Sequence, residues 1–156
     1  MKYILVSLIL LLSGCSVQTY EQTQPKILII KSPLLKFADL AYIRNSKDAI
    51  ELELFVAGKA IKTIAINHLI CVDEGCMTKA TFNEKYLSKA YPSDILQKIL
   101  LAKPIYNGQN KLQVKDGFTQ KIQTKNVDID YKVTSKQTFF KDKMNHIIIK
   151  IKEINS

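Results

Sequence analysis

The chain has no tryptophan, two histidines (His68 and His146) and one arginine, Arg44. Each scarcity excludes something. Base and phosphate recognition favours the planar fork of arginine, so a lysine-rich chain with one arginine is not expected to read nucleic acid. Two histidines far apart in sequence supply neither a four-ligand zinc motif nor the base of a recognisable nucleophile pair, and no Gly-x-Ser-x-Gly motif is present. We therefore expect no catalytic residues, no metal site, no cofactor and no enzyme. With five glycines and four prolines there is no phosphate-cradling glycine loop, no low-complexity segment and no wholesale disorder. No internal repeat and no second domain boundary is visible.

What is present is apolar substance and positive charge. Hydrophobic residues make up 47% of 156 positions, enough for the core of one domain. The formal charge is +9. It is unevenly placed: ten Lys/Arg against nine Asp/Glu lie in residues 15–96, and twelve Lys against five acids in residues 97–156. The C-terminal part thus reads as a solvated lysine-rich surface or as a patch for an anionic lipid, lipopolysaccharide or acidic polymer.

The first fifteen residues, MKYILVSLILLLSGC, have one lysine and then an apolar run from Ile4 to Leu12 interrupted by Ser7. That run suits a signal peptide and is short for a bilayer span. Leu12-Ser13-Gly14-Cys15 resembles the lipobox of bacterial lipoproteins. The resemblance implies cleavage before Cys15, a diacylglyceryl thioether on its sulfur and acylation, as by palmitate, of the new amino group. Each buried methylene contributes about 0.8 kcal/mol, so several chains hold a protein firmly. Ser16, where an aspartate would direct inner-membrane retention, fits the outer-membrane sorting pattern of that class. The expected organisation is a signal peptide at 1–14, a lipidated tether at 15–25 and one globular domain at 26–156. The expected location is the cell envelope, at the outer membrane facing the periplasm or exposed at the surface.

Cys71 and Cys76 remain. In an exported domain a leftover pair is most simply a disulfide, and Asp73, Glu74 and Gly75 can turn a hairpin between them. Free thiols, or a metal or redox role, are the alternatives.

Periodicity gives the elements. Pro25–Lys31 reads as a strand, and Leu34–Arg44 as a weaker candidate. Ile50, Leu52, Leu54 and Val56 alternate inward. After a turn at Ala57-Gly58-Lys59, Ile61–Val72 reads as one strand, with His68 sharing the parity of Ile64, Ile66 and Ile70 as an interior or edge histidine. Thr81-Phe82-Asn83-Glu84 matches a capping box with Thr81 as N-cap. Two short helices are expected near 81–90 and 92–102, the second starting at Pro92 and stopped by Pro104. Leu112 and Val114 flank Gln113 in renewed alternation, Asp116-Gly117 is a turn, and Phe118–Lys125 is a strand. Val127, Ile129, Tyr131 and Val133 then alternate inward. Lys141–Asn145 reads as a turn, followed by a strand with Ile147, Ile149 and Ile151 inward and Lys150 and Lys152 outward. Asp128 and Asp130 share an outer face with Lys132 and read as solvated charge. Lys132, Lys150 and Lys152 are the candidate surface for an anionic ligand.

The expected fold is α+β: mostly antiparallel strands with two short helices between two β-rich halves. A β-sandwich decorated by those helices is the alternative. The Ile- and Lys-rich texture, with Cys-x4-Cys ahead of Phe82-Asn83, also resembles small lipoproteins of epsilonproteobacteria, a resemblance that implies no particular activity. The functional expectation is a membrane-anchored, non-enzymatic module that binds an envelope protein or helps assemble a complex. The alternative is a carrier or assembly subunit for an anionic amphiphile, marked by an apolar cavity with a lysine-lined mouth.

Overall fold

The computed structural model describes residues 22–73 and 75–154. Eleven strands form a single open antiparallel sheet with two short helices. The strands are β1 (Gln22–Lys31), β2 (Lys36–Asn45), β3 (Ile50–Val56), β4 (Lys59–Ile66), β5 (Ile70–Val72), β6 (Gly75–Met77), β7 (Lys111–Val114), β8 (Gly117–Gln123), β9 (Asp128–Thr134), β10 (Gln137–Asp142) and β11 (Ile147–Glu153). The helices α1 (Lys79–Tyr86) and α2 (Ile95–Leu100) and a 3-10 turn (Tyr106–Gly108) lie between β6 and β7. The order across the sheet is β6-β5-β4-β3-β2-β1-β11-β10-β9-β8-β7. From β1 at the centre of the sheet the chain therefore meanders out to one edge. A helical connector carries it to the opposite edge, and it meanders back until β11 lies beside β1.

Period-two patterning gives this sheet one inner face. Leu28, Ile30, Leu52, Leu54, Ile64 and Ile66 are at most 3% exposed, as are Ile129, Tyr131, Phe140, Ile147 and Ile149. Their intervening neighbours are intermediate or exposed. Such alternation is what a sheet covered on one side requires. The cover is the connector: Phe82, Ile95, Leu96, Ile99 and Ile105 join the same core cluster. Edge-to-face ring contacts at 5.8 Å between Tyr91 and Phe140, and between Phe118 and Tyr131, continue the packing. Each fully buried aliphatic or aromatic side chain contributes about 1.5–3 kcal/mol, so the filled layer between connector and sheet dominates stability.

Several local expectations need correction. Strand β1 begins at Gln22, so residues 22–25 belong to the sheet and not to a tether. Val56 ends its strand 44% exposed, because the β3–β4 turn follows at once with Ala57 (φ 50°) and Gly58 (φ 77°). Ile61–Val72 is not one strand. It breaks at residues 67–69, where the Asn67 side-chain oxygen accepts the Leu69 N–H at 2.9 Å, an Asx turn. His68 rides on that turn, exposed.

The N-cap of α1 is Thr78, not Thr81: the Thr78 hydroxyl accepts the Thr81 N–H at 3.1 Å. Helix α1 runs 79–86 and α2 95–100, with Asp94 as N-cap of the latter. Pro92 precedes α2, its carbonyl accepting the Ile95 N–H at 3.1 Å. The helix has already ended before Pro104, through Leu101 and the left-handed Ala102 (φ 53°). Lys141 and Asp142 lie in β10, a strand the periodicity missed, and the turn follows at 143–146.

Candidate functional site

Among the described residues, no helix lies on the face of the sheet opposite the connector. Its charge differs between the two halves. On the β2–β3 side Arg44 lies 2.8 Å from Glu51 and 2.7 Å from Glu53. The bond to Glu53 first, and the neighbouring Glu51, hold the guanidinium pKa above its ordinary value against the opposing effect of burial. That side sets one arginine against two glutamates. On the β8–β11 side the register sets out rows of lysine and apolar residues. Lys132 stands opposite Phe139, Phe139 opposite Lys150, and Lys150 opposite Ile29. One step along, Lys152 pairs with both Gln137 and Ile27. Asp130, Lys141, Ile148 and Lys31 form the row on the other side.

The three lysines read from the sequence, Lys132, Lys150 and Lys152, thus share one face, and none forms an ion pair with a described residue. Asp130 is engaged by Lys143 at 2.7 Å, and the bond to Asp130 holds the Lys143 ammonium pKa above its ordinary value. Leu112, 68% exposed on the edge strand, and Phe139 border a shallow trough of about 760 Å³ with Lys121 and Lys132. Lysine stems lying along apolar residues give an amphipathic surface.

A second polar feature is enclosed. The Asp142 carboxylate, 1% exposed, accepts the Tyr91 hydroxyl at 2.8 Å and the Asn145 side-chain amide at 2.7 Å. Backbone N–H groups of Asp128, Met144 and Asn145 donate to its other oxygen. Ser88 donates to Asn145 Oδ1 at 3.0 Å. Burial first, and the neighbouring carboxylate second, push the Tyr91 hydroxyl pKa far up. All of these groups are saturated by each other. The arrangement latches the connector to the β10–β11 turn and offers no free nucleophile. Sequence reading missed it because its partners lie 51 and 57 residues apart.

A third feature lies at the end of the sheet where β1 enters. Between the C-terminal end of α2 and the β1–β2–β10–β11 strand ends runs a groove of about 450 Å³. Lys26, only 7% exposed, lines it and is ion-paired with Glu153.

The Cys71 and Cys76 sulfurs are 2.02 Å apart, bonded across the β5–β6 hairpin, whose register pairs the two residues directly. Cys15 and the Leu12-Ser13-Gly14 motif lie outside the described residues. Among the described residues no three His, Cys, Asp or Glu side chains converge as a metal site, and no helix is long and apolar enough to cross a membrane. No protein-family model, curated protein or solved structure matches the chain.

Proposed function

We propose that the chain is a bacterial envelope lipoprotein, held to the outer membrane by lipid on Cys15 and acting there as a non-enzymatic module that docks an envelope protein. The fold is read as α+β, with the helices serving as cover for the sheet. The observation that carries the docking reading is the division of the sheet. Its inner face is filled by the connector, down to Ile95, Ile99 and Ile105 at 0% exposure. Among the described residues the connector does not cover its other face, which sets Lys132, Lys150 and Lys152 among Phe139, Ile29 and Ile27. Among the described residues the inner face packs into one core cluster, which a chamber for whole lipids would have to displace. The apolar residues between the lysines supply contact area, and the lysines favour a partner with an acidic surface.

The test is cross-linking in intact cells with the tagged full-length protein, followed by mass spectrometry. A reproducible protein partner is expected, lost in the Lys132→Glu/Lys150→Glu variant while the protein stays in the membrane fraction. Capture of abundant envelope neighbours alone, unchanged by that variant, would remove the reading. The intact mass of the membrane-extracted protein tests the anchor separately. The mature chain should begin at Cys15 and carry acyl chains there, and an unmodified Cys15 would refute the anchor.

A further inference from the structure

We infer that the groove at the entry of β1 binds the phosphate of an anionic amphiphile. Three observations converge there. The first is charge. Among the described residues, Lys26, Lys47 and Lys103 line the groove with Glu153 as its one acid, a net of two positive charges. Burying the Lys26 ammonium would be costly alone, and the ion pair with Glu153 offsets that cost. Lys47 and Lys103 form no ion pair with a described residue.

The second is an unused hydroxyl. Thr138 is 6% exposed, lines the same groove, and its side chain makes no hydrogen bond with a described residue. Its oxygen is not among the closed-off unpartnered atoms of the described residues, so it opens to the groove and can donate to a phosphate oxygen. The floor beside it is apolar, formed by Ile43, Leu100 and Ile151. Lysines, a hydroxyl and an apolar floor together suit a headgroup phosphate and the first carbons attached to it.

The third is position, and it rests on the lipid anchor proposed above. Gln22 pairs with Asn45, and Asn45 and Lys47 belong to the groove. Seven residue steps separate Cys15 from Gln22, a reach of about 25 Å at full extension. An anchored domain therefore carries this groove within reach of the headgroups.

The experiment uses the full chain purified in neutral detergent, with amide proton–nitrogen spectra recorded against two probes, dihexanoyl phosphatidylglycerol and inorganic phosphate. Saturable shifts at Thr138 and Lys103 with the phospholipid are expected, at least fivefold weaker in Lys47→Gln/Lys103→Gln and unchanged in Lys132→Gln/Lys150→Gln. Shifts with the phospholipid alone identify a lipid headgroup. Equal shifts with inorganic phosphate identify a phosphate site that needs no lipid. Both results uphold the anion groove. No saturable shift at these residues, or shifts indifferent to Lys47 and Lys103, would overturn it. The wild-type spectrum shows in the same experiment that the protein is folded, and the mass at Cys15 reports the anchor independently.

Discussion

Asp142 is a buried carboxylate whose negative charge is met by five hydrogen-bond donors and no ion pair with a described residue. Removing it leaves those donors unpaired at a partly buried site, where an unpaired buried group costs about 1–3 kcal/mol. Asp142→Ala should therefore lower the unfolding free energy by about 3 kcal/mol or more, and Tyr91→Phe by about 1 kcal/mol. Urea denaturation checks both, and an Asp142→Ala protein as stable as wild type would show that the latch contributes nothing. Gly117 makes a different demand. At φ 131°, an added Cβ would sit 2.1 Å from the Val133 carbonyl oxygen. Gly117→Ala should cost about 1–3 kcal/mol or displace β8 from β9, read by the same denaturation series. The sequence pointed to Gly117 as a turn glycine. It could not show that the close approach comes from a strand sixteen residues on, nor that Asp142 faces inward.

At the level of elements, alternation was legible wherever one residue in two is aliphatic, as in β3, β9 and β11. It failed at β10, where Phe139 and Phe140 are adjacent and the ring on the bare face hides the period. It failed again between β4 and β5, where Asn67 turns the chain inside an otherwise apolar run. The start of α1 was displaced because two threonines three apart can both serve as caps, and it is Thr78 whose hydroxyl accepts the Thr81 N–H. The lysines of the candidate surface were legible by parity, but the groove was not, since Lys26, Lys103 and Thr138 come from three distant segments. The β5–β6 hairpin rests on three-residue strands at the sheet edge, so its covalent link matters. Closing six residues restricts the unfolded chain by about 2 kcal/mol. Reduction, or Cys71→Ser/Cys76→Ser, should lower the unfolding free energy by that amount and increase amide exchange in residues 70–77 first. An unchanged denaturation midpoint after verified thiol release would contradict this.

The whole molecule is held together by a pairing that no local signal announces. Lys26 and Glu153, 127 residues apart, are register neighbours across β1 and β11. Neither meander is complete without the other, and the connector packs against both, so the domain should unfold as one unit. Its tyrosines give that unit a pH limit. Burial pushes the hydroxyl pKa of Tyr131 up and that of Tyr106 up to about 12, while burial and Asp142 together raise that of Tyr91 further. In the unfolded chain each titrates near 10. Below pH 10 both states keep the protons and the folded state bears no penalty. Above it the unfolded state releases protons that the folded state retains, so stability falls as pH rises toward and beyond 12. The urea midpoint should therefore decline steeply from pH 10 upward, with tyrosinate absorbance from Tyr91 and Tyr131 appearing only as the protein unfolds. Lysine deprotonation in the same range is shared by all variants, so Tyr131→Phe isolates the tyrosine contribution. Its midpoint should fall less steeply with pH than that of wild type. Parallel declines in the two proteins would show that Tyr131 does not hold its proton through the core.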